Sequence, residues 1–419
     1  MDLDAVVLAE SPLAAVRIAG LTARDRGVRV ARRAGASRVV VVEGDRAVLS
    51  ELDGDRPLLV IRADQLVHTP LVAPLVASAG EELAIAVGPD GSYAGALLAL
   101  DGASVLARLR AGESDDQIAR DATARVPHGS VARHAIATDA DRAGAHRLLF
   151  SLLVKPQDNV ITRYLFRPLS SRLTRVLVHT PVTATQVSLV VAVMVALGCW
   201  MTTFASTAMM IGGALVILAA SYLDCCDGEI ARVKLQASTF GAWLDTIVDE
   251  LSSVGYMIAL GWHCHLVYGR SYFGDLGFDP WIAAIWLGVV TYGWSLYCIY
   301  FNIIVGVGSA NSQDYASRFD VVPGASEGSV ALVPRAPKPR ERPLPPWLDA
   351  IARFVPNIVR RDFIVWLAAV YAVLRVPHIS FATHILGGVV SSIVVTIDHI
   401  HLRQVRRSIA RAGQRLVRR

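Results

Sequence analysis

Four aspartates, three small residues and one arginine are the part of this sequence that could do chemistry. Residues 224–249 read Asp224-Cys-Cys-Asp227-Gly228-Glu-Ile-Ala231-Arg232, then eight residues, Gly241, three residues, Asp245, three residues and Asp249. The acids lie at the edges of two apolar segments, 207–223 and 251–262. A carboxylate near mid-bilayer costs roughly 2.5–3.5 kcal/mol, so four at mid-depth cost on the order of 10 kcal/mol. Cations are the obvious compensation. Asp224 and Asp227 are spaced i, i+3, and Asp245 and Asp249 i, i+4, so each pair shares a helix face. Two facing helices then aim four carboxylates at one point. Oxygen-only ligands suit Mg²⁺, Mn²⁺ or Ca²⁺ rather than zinc. Gly228, Ala231 and Gly241 let a substrate or a helix approach the backbone closely. Arg232 adds a fork of donors suited to phosphate. Together these groups describe a site for a diphosphate.

The elements that must position them are membrane spans. The 419 residues are 53% hydrophobic, with a mean hydropathy of +0.44 that is too apolar for an ordinary soluble chain. The apolar residues concentrate after residue 185, a composition shift that marks a boundary. Six spans are expected, at about 185–204, 207–224, 241–262, 281–305, 362–376 and 380–399, most reaching the ~20 residues a crossing needs. Arg375-Val-Pro-His378 reads as a tight turn between the last two. Arg163, Arg167, Arg172 and Arg175 precede the first span, and Arg232 and Lys234 follow the second. Arg335, Lys338, Arg340, Arg342, Arg353, Arg360 and Arg361 precede the fifth, and Arg403 through Arg419 follow the sixth. By the positive-inside rule these flanks, both termini and the acidic site are cytoplasmic. Loops 263–280 and 376–379 carry few basic residues.

The remaining features are consistent with that reading. The acidic start MDLDAVVLAE has no basic n-region, so no signal peptide is expected. Net charge is +5. The basic tail 403–419 directly follows a span, which favours anionic lipid or plain solvation over nucleic acid. The five cysteines form no CxxC pair, and no disulfide is expected. His263-Cys264-His265 lacks metal-ligand spacing and reads as a loop at the far interface. Segment 306–345, rich in Gly, Ser and Pro, reads as a mobile cytoplasmic loop, either a plain linker or a lid.

Residues 1–140 read as a soluble α/β domain. Apolar runs at Ala5–Ala9, Arg38–Val42, Pro57–Ile61, Leu83–Val87 and Gly95–Leu100 are expected strands. A helical segment near 11–34 separates the first two, and the alternation argues for a mostly parallel sheet. Residues 141–182 form a linker. Within it, basic residues at helical spacing with Leu and Phe between them predict an amphipathic helix at the membrane surface over 147–181.

The pattern D-x2-D-G-x2-A-R-x8-G-x3-D-x3-D, matched here at every fixed position, resembles that of the CDP-alcohol phosphatidyltransferases. The resemblance implies that residues 183–402 form a polytopic membrane domain that displaces CMP from a CDP-linked alcohol. It implies that Asp224, Asp227, Asp245 and Asp249 ligate two Mg²⁺ or Mn²⁺ ions, with Asp249 also the general base for an acceptor hydroxyl. Asp224, Gly228, Ala231, Arg232 and Gly241 would contact the CDP group. The first 140 residues resemble a nucleotidyltransferase domain, with Asp64 where that family places a metal-binding Asp. In place of its Gly-rich loop stands Leu8-Ala9-Glu10-Ser11-Pro12-Leu13-Ala14-Ala15, so a degenerate, inactive fold is expected. Lys155, Asp158, Arg163, Arg167 and Ser170 resemble the linker of fused cytidylyltransferase–phosphotransferase proteins that handle inositol phosphate. Where that family has Pro-Asn at the start of the first span, this chain has Ala184-Thr185.

Donor and acceptor follow as expectations. The donor is CDP-diacylglycerol or CDP-inositol. Arg360-Arg361-Asp362 opens the fifth span, where the arginines either receive an acceptor phosphate or simply obey the positive-inside rule. With Lys155, Arg163 and Arg167 they favour a phosphorylated polyol, such as inositol phosphate or glycerol phosphate, over choline or ethanolamine, for which no aromatic cage is evident. Membrane lipids are expected partners and a homodimer is left open. Two other readings stand beside this one. The acids could serve an ion or polar-solute transporter, though they cluster on one helix pair without an internal repeat. The chain could also be a non-catalytic membrane scaffold.

Overall fold

The computed structural model describes all residues except 1, 79, 155–157, 159, 309–314, 325–327, 336–344, 346–360, 418 and 419. The chain forms two compact units. One contains residues 1–156, 171–183 and 228–236; the other contains 157–170, 184–227 and 237–419.

In the first unit the elements run β1 (Leu3–Leu8), β2 (Arg17–Ile18), β3 (Leu21–Thr22), α1 (Ala23–Arg33), β4 (Ala36–Val42), β5 (Leu58–Arg62), β6 (Leu66–Val67), α2 (Ala73–Ala77), β7 (Leu83–Val87), β8 (Tyr93–Ala99), α3 (Gly102–Arg110), α4 (Asp115–Ile118), β9 (Ala124–Pro127), β10 (Arg133–His134) and α5 (Asp139–Phe150). Six strands make one sheet in the order β4-β1-β5-β8-β7-β9. The β1–β4, β1–β5 and β7–β9 pairs are parallel, whereas β8 runs antiparallel to both neighbours. The sheet is therefore mostly parallel, as expected, with β8 its one reversed strand. The five expected strands form. Every residue of β1 is buried, as a central strand covered on both faces demands. Its one acid, Asp4, is neutralised by Arg38, whose Nη2 lies 2.7 Å from Oδ2.

The expected helix over 11–34 forms only in its second half. Pro12–Ala15 is a short 3-10 turn. Ala19 and Gly20, at φ 48° and 80°, then turn β2 back on β3. Thr22 caps α1 by accepting from the Asp25 N–H at 3.0 Å. An early Pro and a left-handed pair broke the helical period.

The second unit contains most of a helical bundle. The helices are α6 (Arg167–Leu177, shared with the first unit), α7 (Ala184–Thr202), α8 (Thr207–Val233), α9 (Thr239–Tyr268), α10 (Pro280–Phe301), α11 (Arg361–Val373) and α12 (Pro377–Arg411). The last six overlap the six expected segments, with α8 and α12 running well past the expected ends. Four stretches, Ala184–Thr202, Thr207–Val233, Pro280–Val307 and Pro377–Arg411, are long and apolar enough to cross a membrane by length and composition. Outward residues are apolar: Val193 is 63% exposed, Val290 64% and Leu386 66%. A soluble protein rarely shows such a contiguous surface; against hydrocarbon it is the matching one.

Small residues set the packing of the helices that bear the acids. A Cβ on Gly213 of α8 would meet Gly198 O at 2.5 Å, and one on Gly198 of α7 would meet Ile217 Cγ1 at 2.5 Å, so the two backbones touch. Ser238 caps α9 through the Gly241 N–H at 3.0 Å, and Asp279 with Pro280 opens α10. Arg375, at φ 60°, makes the expected turn between α11 and α12.

Three expectations are corrected here. His263 and His265 lie in α9, not in a loop; His263 Nδ1 is 2.7 Å from Phe204 O, and His265 pairs with Asp279 at 2.8 Å. Segment 306–345 is not loop throughout: β11 (Phe319–Pro323) and β12 (Ser329–Pro334) pair antiparallel as a hairpin. The basic tail is no free tail either, because α12 continues to Arg411 and β13 (Arg415–Leu416) pairs parallel with β12.

Candidate functional site

Helices α8 and α9 bring three of the four aspartates to one point. One carboxylate oxygen each from Asp224, Asp227 and Asp245 lies within 4.8 Å of the others. Asp227 is buried and accepts from Ser188 Oγ of α7 at 2.5 Å. The fourth, Asp249, forms an ion pair through Oδ1 with Arg361 at the start of α11, and the same guanidinium stands 3.8 Å from Asp224 Oδ2. Three clustered carboxylates repel one another, and Arg361 at their edge offsets part of that repulsion. Hard oxygen donors at this spacing fit a divalent cation of the Mg²⁺ or Mn²⁺ kind.

The small residues of the motif lie along these helices. Asp224, Asp227, Gly228 and Ala231 follow i, i+3, i+4, i+7 on α8 and share a face. On α9, a Cβ at Gly241 would stand 4.0 Å from Thr185 Oγ1, so the Ala184-Thr185 start of α7 lies beside Gly241. Arg232 Nε and Nη2 donate to the carbonyls of Leu152 and Leu153 at 3.0 and 3.3 Å.

The other basic candidates divide. Arg167 forms a buried bidentate pair with Asp158, at 2.7 and 2.8 Å. Arg163 is exposed. Lys155 and Arg360 lie outside the described residues. Thr162 Oγ1 donates to Asp362 beside Arg361 at 2.5 Å, which joins the segment before α6 to α11. The helix expected over 147–181 is broken: α5 ends at Phe150, and a π-turn over Thr162–Phe166 runs into α6. Around α6 the inward residues are Arg167, Ser170 and Thr174, while Leu165, Leu169, Leu173 and Val176 are exposed at helical spacing. An apolar outer stripe flanked by Arg163, Arg172 and Arg175 is the pattern of an interfacial helix.

A cavity of about 210 Å³ opens among α8 to α12, and sequence reasoning missed it. Arg361, Glu250, Ser252, Tyr256 and Tyr292 line it. Glu250 accepts from the Tyr292 hydroxyl. Glu250 follows Asp249 directly, so an acid beside a motif acid was the available signal. Ser188 and Tyr292, on other helices, gave none.

The first unit has a cavity of about 440 Å³ that includes Arg62, Asp64, Gln65, Tyr93, Arg133 and His134. Arg62 pairs with Asp64 at 3.2 Å and with Asp116 at 2.8 Å, so the Asp64 carboxylate already has its counter-ion. Glu10, in the segment that replaces a Gly-rich loop, pairs with Arg46 at 2.8 Å. Burial lifts the Asp115 carboxyl above the usual carboxylate range.

Comparison with known proteins agrees with the motif. Residues 179–322 match the family model for CDP-alcohol phosphatidyltransferase, which includes all eight fixed positions. The C-terminal part of the chain therefore carries a domain of that class. Over 140 residues the chain is 30% identical to the bifunctional IPC transferase and DIPP synthase of Aquifex aeolicus, covering 33% of this chain and 29% of that protein. Over 74 residues it is 43% identical to the protein of the same name from Rubrobacter xylanophilus, covering 18% and 16%. The matches thus span less than a third of either relative.

Proposed function

We propose that this protein is a metal-dependent transferase that displaces CMP from a CDP-linked alcohol by attack of an acceptor hydroxyl. The observation that carries this reading is the convergence of Asp224, Asp227 and Asp245 on one point, within a fully matched motif. Asp224, Asp227 and Asp245 would hold the first divalent ion, and Asp249 would help to hold a second. Neutralisation and polarisation of the diphosphate is the chemistry such ions would supply. Ser188 fixes the Asp227 carboxylate, and Gly228, Ala231 and Gly241 leave room for the nucleotide. Asp249 takes the acceptor proton. An unperturbed aspartate titrates at about 3.9 and is a weak base, so positioning and charge neutralisation do most of the work.

The acceptor is a polyol or its phosphate. Arg361 supplies a guanidinium beside Asp249, and the cavity behind it offers the hydroxyls of Ser252, Tyr256 and Tyr292 with the Glu250 carboxylate. These polar groups suit the hydroxyls of an acceptor, while Ile217, Met257, Leu296 and Ile364 make the rest of the wall apolar. The donor is CDP-inositol or CDP-diacylglycerol. The two relatives' names, IPC transferase and DIPP synthase, support a transferase reading. The α6 stripe lies on the membrane surface, all six helices α7 to α12 cross the bilayer, and both termini and the acids are cytoplasmic. Residues 1–140 are a nucleotidyltransferase-like domain without retained activity.

The deciding experiment is CMP release by the purified protein in detergent with Mg²⁺. CDP-inositol and CDP-diacylglycerol are each offered with inositol, inositol phosphate, glycerol phosphate and serine. CMP formed with one pair, and lost on chelation, establishes the reaction and chooses both substrates. No CMP from any pair overturns the substrate assignment.

A further inference from the structure

The N-terminal fold grips the connection between the two halves of the acidic motif. Residues 228–236 belong to its compact unit. Leu235, one residue past Lys234 and the end of α8, is 6% exposed and packs in the hydrophobic core with Val30, Leu59, Val67 and Leu71. Arg26 of α1 is fully buried; its Nη1 donates to Val233 O at 2.9 Å and its Nη2 to Ile18 O at 3.2 Å. Arg29, one turn on, donates to Lys234 O at 2.6 Å. His68 Nε2, just after β6, lies 3.5 Å from Arg232 O. Lys234 Nζ in turn donates to Thr180 O and Val182 O at 2.6 and 2.9 Å. Three successive carbonyls at the end of α8 thus meet side chains of this fold, which stand in for the missing next turn of helix.

The backbone conformation points the same way. The Gln236 N–H bonds to Ala231 O at 2.8 Å, a Schellman-type stop, and Leu235 holds the left-handed position at φ 53°. Glycine is the usual occupant there. A leucine tolerates that conformation here because its side chain is inserted in the core.

We propose that the N-terminal domain acts as a clamp on residues 228–236 and thereby keeps Asp224 and Asp227 in register with Asp245. Arg26, Arg29, His68 and Leu235 are positioning residues; none touches the reacting groups. The effect on turnover rests on the transferase reading, but the effect on the acids does not.

The test uses the full-length protein in detergent. Leu235→Ala and Arg29→Ala open the clamp. Leu109→Ala is the control, since Leu109 is equally buried in the core on the other side of the sheet. Leu235→Met should rescue. Amide exchange over residues 228–240 and Mn²⁺ affinity by paramagnetic resonance are read beside CMP release. The clamp variants should exchange at least tenfold faster there and bind Mn²⁺ at least fivefold more weakly. Their kcat should fall about tenfold with the acceptor KM unchanged, while Leu109→Ala keeps wild-type values. Unchanged exchange and Mn²⁺ affinity in both clamp variants, or the same losses in Leu109→Ala, overturn the clamp. A wild type that releases no CMP would sink the transferase reading alone, because the exchange and Mn²⁺ measurements still decide the clamp.

Discussion

Asp249 and Arg361 form an ion pair at the edge of the carboxylate cluster, and the two members should fail differently. Asp249→Asn keeps the shape and removes the base, so turnover should drop by roughly 10²–10⁴-fold with donor binding retained; near-normal turnover would remove Asp249 from that role. Arg361→Ala should raise KM for phosphorylated acceptors alone. An equal loss on every acceptor would instead assign Arg361 to Asp249. In the other unit, burial first, then the nearby charges of Arg26 and Arg33, push the His68 imidazole down to about 4. The unfolded chain then binds the proton first, so stability from His68 is full above about 6.5 and lost as pH falls toward 4. His68→Gln should flatten that part of the stability–pH curve, measured by thermal unfolding between pH 4 and 7. The aspartates were legible in the sequence because i, i+3 and i, i+4 spacing is local. Arg361 was a candidate from its place before the fifth span, but its pairing with Asp249 was not legible; nor were Ser188 and Tyr292, since each reaches the site from a helix distant in sequence.

Among the elements, the α7–α8 contact leaves no room for a larger residue at Gly213. Gly213→Val would force a branched side chain against Gly198 O. Overpacking of this kind costs ~1–3 kcal/mol, and here it would also tilt Asp224 and Asp227 away from α9. Loss of both detergent stability and Mn²⁺ binding is expected; a variant that binds Mn²⁺ normally would show that α8 is held from elsewhere. Helices and strands with one steady period were readable from sequence. Those that failed had mixed signals. Residues 11–22 combine a helical run with Pro12 and the Ala19-Gly20 turn. The β11–β12 hairpin has no clean alternation of buried and exposed residues, and Gly, Ser and Pro on both sides made it read as a loop.

For the whole molecule the charge distribution predicts sidedness. Gly274→Cys, in the loop between α9 and α10, should react with an impermeant maleimide from outside intact cells. Ser317→Cys, next to β11, should react only after permeabilisation. The reverse labelling would invert the proposed orientation, and labelling of both from one side would rule out a single crossing between them. The boundary in composition near residue 185 was visible in the sequence. The assignment of 171–183 and 228–236 to the N-terminal unit was not, because composition reports what a segment is made of and not which core it enters.

Leu235 also makes the two parts of the chain interdependent in heredity. A leucine in the left-handed conformation costs roughly 1–2 kcal/mol, which burial in the N-terminal core offsets. In a chain without that core the same residue is a strained, exposed apolar group, and glycine is the better choice. Leu235→Gly should therefore destabilise the full-length protein and stabilise a version cut back to the membrane region. A substitution whose sign depends on a domain far away in sequence means that shedding the domain would require a second change at residue 235. The reverse order of events would be equally penalised.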